Sequence, residues 1–206
     1  DGERIVFADD NKAFTPLDGL ETLPYTPVEA AAIDGVVALE RELTPQPAAV
    51  LLRDYNWRTP SVGLQGEAAA DQRTGRGFVN GYGDHFKTPA EGSRLATVRA
   101  QERMVQRDVY RGRCRVAGLR PGHVFELVEH PCADLDQDYL VTRLEHEIDG
   151  RGVEEVGAVS HEARFVAIPK SVPFRPARRT PKPTIAGVMH ARVDGEVTGI
   201  AAPIDE

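Results

Sequence analysis

The chain has 206 residues, 41% hydrophobic and 28% charged, a composition that suits one folded domain of ordinary size plus pieces of others. Its formal net charge of −7 argues against general nucleic-acid binding. No window approaches the roughly 18 apolar residues a membrane-spanning helix needs, and no signal-peptide pattern is visible. The two cysteines, Cys114 and Cys132, give neither a disulfide scaffold nor a zinc site. Two reduced thiols are expected, with a single disulfide between them as the alternative. The chain begins at Asp1-Gly2 and stops at Asp205-Glu206, just past an apolar run, so both ends read as cut from something longer.

In chain order, Arg4-Ile-Val-Phe-Ala8 reads as the last strand of an earlier unit, followed by the turn-forming Asp9-Asp-Asn11. Residues 12–35 carry turn signals at Thr15-Pro16, Asp18-Gly19, Leu23-Pro24 and Thr26-Pro27, and read as an ordered excursion. Strands are expected at Val36–Leu43 and Ala48–Asn56. Residues 63–77, polar and glycine-rich, read as a loop, with a short strand within Gly77–Gly83. Thr88-Pro-Ala-Glu91 has capping-box spacing with proline at the first helical position, which starts a helix over about 89–108. Leu95, Val98 and Val105 share its apolar face, and Arg94, Arg99, Arg103 and Arg107 its polar side.

Beyond the helix the pattern is a meander. Strands are expected at Val109–Val116, His123–Glu129, Tyr139–Ile148 and Ala163–Ile168. A Leu119-Arg-Pro-Gly122 turn, a 130–138 loop and a polar 149–160 loop separate them. Several short strands with one inserted helix fit a small antiparallel barrel or sandwich. Five prolines follow within fifteen residues: Pro169, Pro173, Pro176, Pro181 and Pro183. As polyproline II, at about 3.1 Å per residue, that stretch reaches roughly 45 Å. Its cations Arg175, Arg178, Arg179 and Lys182 read as a solvated or subunit-facing cluster. Thr184–Val193 and Glu196–Gly199 then form a hairpin pattern around Asp194-Gly195.

Five blocks in order carry a family resemblance. They are Glu3-Arg-Ile-Val-Phe-Ala-Asp-Asp-Asn11, Val50-Leu-Leu-Arg-Asp-Tyr-Asn-Trp-Arg-Thr-Pro60, and Glu91-Gly-Ser-Arg-Leu-Ala96. The fourth is Leu119-Arg-Pro-Gly-His-Val-Phe-Glu-Leu127 with His130-Pro131 and Asp138-Tyr-Leu-Val-Thr142, and the fifth is the proline-rich connector. Together they resemble the VgrG family, the spike proteins of type VI secretion, which are related to contractile-phage baseplate hubs. Gly81-Tyr-Gly83 and Asp84-His-Phe86 stand where many members carry a Tyr-Pro-Gly turn, a departure from the pattern.

The resemblance implies a mainly β fold with one main helix, built as antiparallel β-barrel hub domains. Residues 1–35 would end a first hub barrel, and 36–168 would form a second with the helix inside it. Residues 169–183 would be the proline-rich connector, and 184–206 the start of an OB-type β-barrel. It implies a structural subunit: a homotrimer joining an Hcp-like tube hexamer and baseplate subunits to a needle, a needle-tip protein and effectors. Such a subunit is assembled in the cytoplasm and then delivered outward through the contractile apparatus. It uses no cofactor, does not bind nucleic acid and does not insert stably into membrane. A contractile-phage or extracellular-injection hub is the near alternative; a hydrolase or metal-binding β domain is the distant one.

No constellation of catalytic or metal-ligating residues emerges. None of the histidines, His85, His123, His130, His146, His161 and His190, has an H-E-x-x-H spacing. His146 alternates within a strand and reads as a sheet-face residue. His130-Pro-Cys132 places a thiol near an imidazole without an orienting group. Gly75-Arg-Gly77 and Gly81-Tyr-Gly83 lack the lysine and serine of a P-loop and read as flexible loop. Asp134, Asp136 and Asp138 alternate, as calcium ligands do, but lack an EF-hand's glycine and closing glutamate. Asp9-Asp10 likewise reads as an incidental polar turn. The expectation is no catalytic, cofactor-binding or metal-binding residue in the chain.

Overall fold

The computed structural model describes residues 7–26, 34–149, 160–181, 183–188 and 190. The chain divides into two compact units, residues 1–176 and 177–206. Nine strands and one helix of eight residues or more are described, all in the first unit: β1 (Thr22–Pro24), β2 (Val36–Leu43), β3 (Ala49–Asp54), β4 (Leu64–Ala69) and β5 (Phe78–Tyr82), then α1 (Pro89–Met104). β6 (Asp108–Cys114), β7 (Val124–Val128), β8 (Asp138–Asp149) and β9 (Ser160–Pro169) complete it. The expected strand at Arg4–Ala8 falls largely outside the described residues.

Six strands form one curled sheet in the order β1-β7-β8-β9-β6-β2. Its two outer strands are drawn together at one end. The Tyr25 amide donates to the Val128 carbonyl at 2.8 Å, and the next amide, Thr26, donates to the Val36 carbonyl at 2.7 Å. Alternation puts Tyr110 and Cys114 of β6, Tyr139 and Val141 of β8, and Phe165 and Ala167 of β9 on the inner face with Phe125 and Leu127 of β7. Phe125 meets Phe165 edge-on at 5.6 Å, and Tyr110 meets Tyr139 at 4.8 Å. The phenols are satisfied inside the core. Gln137 donates to both hydroxyls at 3.2 Å, and the Tyr139 hydroxyl donates to the Leu135 carbonyl at 2.8 Å. Burial pushes the Tyr139 pKa up to about 12. Gly112 is required here, because a Cβ would lie 2.1 Å from the Phe165 ring.

A second sheet, β4-β3-β5, carries α1 on one face. Thr88 caps the helix, its hydroxyl accepting the Glu91 amide at 3.2 Å. Glu91 reaches back to the Lys87 amide at 2.8 Å, one residue before the cap. The buried face of α1 is Gly92, Ala96 and Ala100, not the expected Leu95, Val98 and Val105. Small residues win because the helix lies very close to the sheet: a Cβ on Gly66 would come within 2.1 Å of the Gly92 backbone. The helix ends at Met104 rather than near 108, since Asp108 already pairs with Leu43 in the large sheet.

Two further expectations are corrected. Residues 63–77 are not wholly loop: Leu64–Ala69 is β4, paired antiparallel to β3 over its whole length. Its inward positions hold Gly66 and Ala68 because the helix leaves no room for more, so the apolar alternation that marks a strand is muted. Nor are the sheets purely antiparallel, because β1 pairs with β7 and β5 with β3 in parallel.

The proline-rich run begins inside the first unit. Pro169 is the last residue of β9, opposite Tyr139. The Asn11 side chain donates to the carbonyls of Lys170 and Val172 at 2.9 and 2.7 Å and accepts the Phe174 amide at 2.8 Å. Phe174 packs edge-on to Phe14 at 6.1 Å, against a cluster with Val124, Leu140 and Ile168. Arg175 Nε donates to Gln101 Oε1 at 2.8 Å, and its guanidinium also meets the Asp9 carbonyl. In the second unit the described residues carry neither strand nor helix, and Ile185 and Val188 are exposed. The rest of the expected hairpin, Asp194-Gly195 included, lies outside the described residues.

Candidate assembly surfaces

The outer face of the large sheet is a field of cross-strand ion pairs. Arg111 of β6 meets Glu42 of β2 at 3.0 Å, and Arg113 meets Glu162 of β9 at 3.5 Å. Arg164 of β9 meets Glu147 of β8 at 3.2 Å, and Arg143 pairs with Glu145 along β8. The curl leaves a groove of about 350 Å³ lined by Glu40, Arg111, Arg113, Arg143, Glu145 and Arg164. These pairs are solvent-exposed, so each contributes little to stability, typically about 0–1 kcal/mol. Every arginine of the groove has a carboxylate partner, and no nucleophile or acid–base pair points into it. Its lining is that of a polar contact surface. The neighbouring edge strand β2 carries Glu40, Arg41, Glu42 and Leu43 exposed, the charged edge that keeps strands from pairing at random.

The small sheet offers a different surface on the face away from α1. Phe78 and Tyr82 of β5 are 64% and 73% exposed, with Arg53 of β3 and Gln65 and Glu67 of β4 across the same face. Tyr55 and Trp57, just beyond β3, are also exposed, and Arg58 stacks over the Trp57 ring at 4.7 Å. Exposed aromatic residues in such density are a mark of contact surfaces.

The residues weighed in the sequence scatter. The Cys132 amide donates to His130 Nδ1 at 3.0 Å, and the ring packs on Tyr25 at 4.3 Å, so this imidazole serves a turn. Both cysteines are free thiols; Cys114 is buried in the aromatic core, and burial raises its pKa. Asp136 accepts the His130 amide at 2.9 Å while Asp138 pairs with Lys170 at 3.0 Å, so the alternating aspartates face different tasks. Asp10 accepts the Lys12 amide at 2.9 Å. His123 meets the Thr15 carbonyl at 3.0 Å. Among the described residues no group of three or more His, Cys, Asp or Glu could hold a metal ion, and no helix is long and apolar enough to cross a membrane.

Two features were missed in the sequence. Asp71 is only 3% exposed and organises the turn at 71–75. Its carboxylate accepts the Thr74 hydroxyl at 2.5 Å, the Arg73 and Thr74 amides at 3.1 Å, and Arg107 Nε at 2.9 Å. The Thr74 hydroxyl above all, then the Thr74 amide and Arg107, hold this carboxyl well below the usual range despite its burial. The glycines at 75–77 therefore close a pinned turn; Gly75 donates to the Asp71 carbonyl at 3.0 Å. The second is a contact between His146 of β8 and His161 of β9, whose ring nitrogens lie 2.9 Å apart.

A family model described as phage tail baseplate hub (GPD) matches residues 1–151. The chain belongs to this baseplate hub family. Among curated relatives, the type VI secretion system spike protein VgrG1c of Pseudomonas aeruginosa is 27% identical over 164 residues, 73% of this chain and 21% of its own length. The actin cross-linking toxin VgrG1 of Vibrio cholerae is 25% identical over 201 residues, 93% of this chain and 18% of its own. The hub chain thus spans about a fifth of the length of these relatives. In fold it resembles a 43 kDa tail protein of prophage MuSo2 from Shewanella oneidensis, with a TM-score of 0.54 at 8% identity over 77% of this chain and 46% of the other. A tail protein from Neisseria meningitidis gives 0.51 at 9%, over 71% and 43%. The mainly β architecture with one helix is therefore shared with these tail proteins, and the VgrG resemblance read from the sequence holds.

Proposed function

We propose that the chain is the hub segment of a type VI secretion spike, a structural platform between the tube and the needle. The single observation that carries this is the baseplate hub match over residues 1–151, joined by the spike-protein names of its relatives. On this reading three copies assemble into a ring, and the charged groove face and the β2 edge supply contacts between copies or with the tube and baseplate. Obligate interfaces of this kind bury more than about 2,000 Å². On this reading the start of the chain ends a first hub barrel, and the second takes in β1 (Thr22–Pro24) together with residues 36–168, since β1 pairs with β7 in the large sheet. The proline-rich run leads from the hub into an OB-type barrel that begins near 184. Since Pro169–Pro176 lie within the first unit, its free length is that of residues 177–183, roughly 20 Å if extended. The segment carries no catalysis of its own. Needle, needle-tip protein and effectors attach beyond it, and the assembly leaves the cytoplasm through the contractile apparatus.

Deletion of the gene tests this reading. Loss of tube protein from the medium and loss of contact-dependent killing are expected. Intact secretion with loss of infectious or free tail particles instead would assign the chain to a phage or extracellular injection hub, the second reading that the family description favours.

A further inference from the structure

We propose that His146 and His161 form a two-histidine site for a divalent transition-metal ion of the copper–nickel class. The antiparallel register of β8 and β9 places His146 opposite Ala163 and His161 opposite Ile148, so the two histidines are diagonal neighbours on one face. His146 Nδ1 and His161 Nε2 are 2.9 Å apart, with ring centroids at 5.1 Å and planes inclined by 40°. Two metal–nitrogen bonds of about 2.0–2.1 Å meeting at about 90° separate their nitrogens by about 2.9 Å, the cis arrangement of a tetragonal ion.

A hydrogen bond between the rings uses little of the pair's bonding capacity. His161 Nδ1 is buried without a hydrogen-bond partner among the described residues, whether the two facing nitrogens share a proton or an ion. An ion held by both nitrogens replaces that one hydrogen bond with two coordinate bonds. His146 is solvent-exposed, so water completes the coordination sphere. Glu145, Glu147 and Glu162 alternate with the histidines and so lie on the opposite face of the sheet. Those carboxylates are each engaged by an arginine, which leaves the imidazoles as the ligands. The site is independent of the hub reading.

Titration calorimetry of the tag-free chain with CuCl₂ and NiCl₂ at neutral pH tests it. One ion per chain is expected, copper tighter than nickel, with two imidazole nitrogens in the copper electron paramagnetic resonance spectrum. His146→Ala and His161→Gln should each weaken binding by at least about tenfold, given that even outer-shell partners cost 10–100-fold. His146→Ala, at the exposed member, decides the matter if the other variant fails to fold. No saturable one-to-one binding to the parent chain, or binding that His146→Ala leaves unchanged, overturns the site.

Discussion

The two sheets of the hub segment build their cores by opposite means. The large sheet fills its curl with rings, Tyr110, Phe125, Tyr139 and Phe165, and needs a glycine, Gly112, where the Phe165 ring crowds the neighbouring strand. The small sheet brings a helix down until backbone nearly meets backbone, Gly66 under Gly92, with Ala96 and Ala100 along the same line. Ring packing buries much area per residue and tolerates little loss. Close approach gains its contacts from many small atoms and tolerates little gain.

Four substitutions sharpen that contrast, from the largest expected effect to the smallest. Phe165→Ala empties the ring core and should cost about 3–5 kcal/mol in urea unfolding. A loss below about 1 kcal/mol would mean the curl is not held by its rings. Asp71→Asn removes the carboxylate that ties the 71–75 turn to Arg107, between helix and large sheet, and should cost about 2–4 kcal/mol at neutral pH. Because the folded pKa of Asp71 is depressed, its contribution is complete above the unfolded value of about 4 and fades as pH falls below it. The gap between parent and variant should therefore close in acid; a pH-independent gap would contradict the account.

Gly66→Ala adds one methyl where none fits and should cost about 1–3 kcal/mol. Amide exchange should show the loosening in α1 and β4 and leave β6 and β9 protected; uniform loss of protection would deny the two cores their separateness. Thr88→Ala removes only a helix cap and should lower stability by about 1 kcal/mol, read from the same unfolding curves. Thr88→Ser, which keeps the hydroxyl, should restore most of it.

The same contrast explains what the sequence disclosed. The large sheet was legible because Tyr139–Ile148 and Val109–Val116 alternate with large inward residues, and β2 begins and ends where its pattern does. The helix start was legible through Thr88, Pro89 and Glu91, a signal made of local hydrogen bonds. β4 was not, since Gly66 and Ala68 are inward for reasons set by a helix some twenty-five residues later in the chain. The buried face of α1 was hidden likewise, because Gly92, Ala96 and Ala100 carry a weaker apolar signal than Leu95, Val98 and Val105. Asp71 and the His146–His161 contact needed tertiary register, which no short-range pattern carries. The family resemblance, in contrast, rested on the order of short blocks and survived these local errors.

Sedimentation equilibrium of the full-length protein tests the hub account most directly. A trimer mass that persists at micromolar concentration is the predicted result. A tight monomer at high concentration would contradict it.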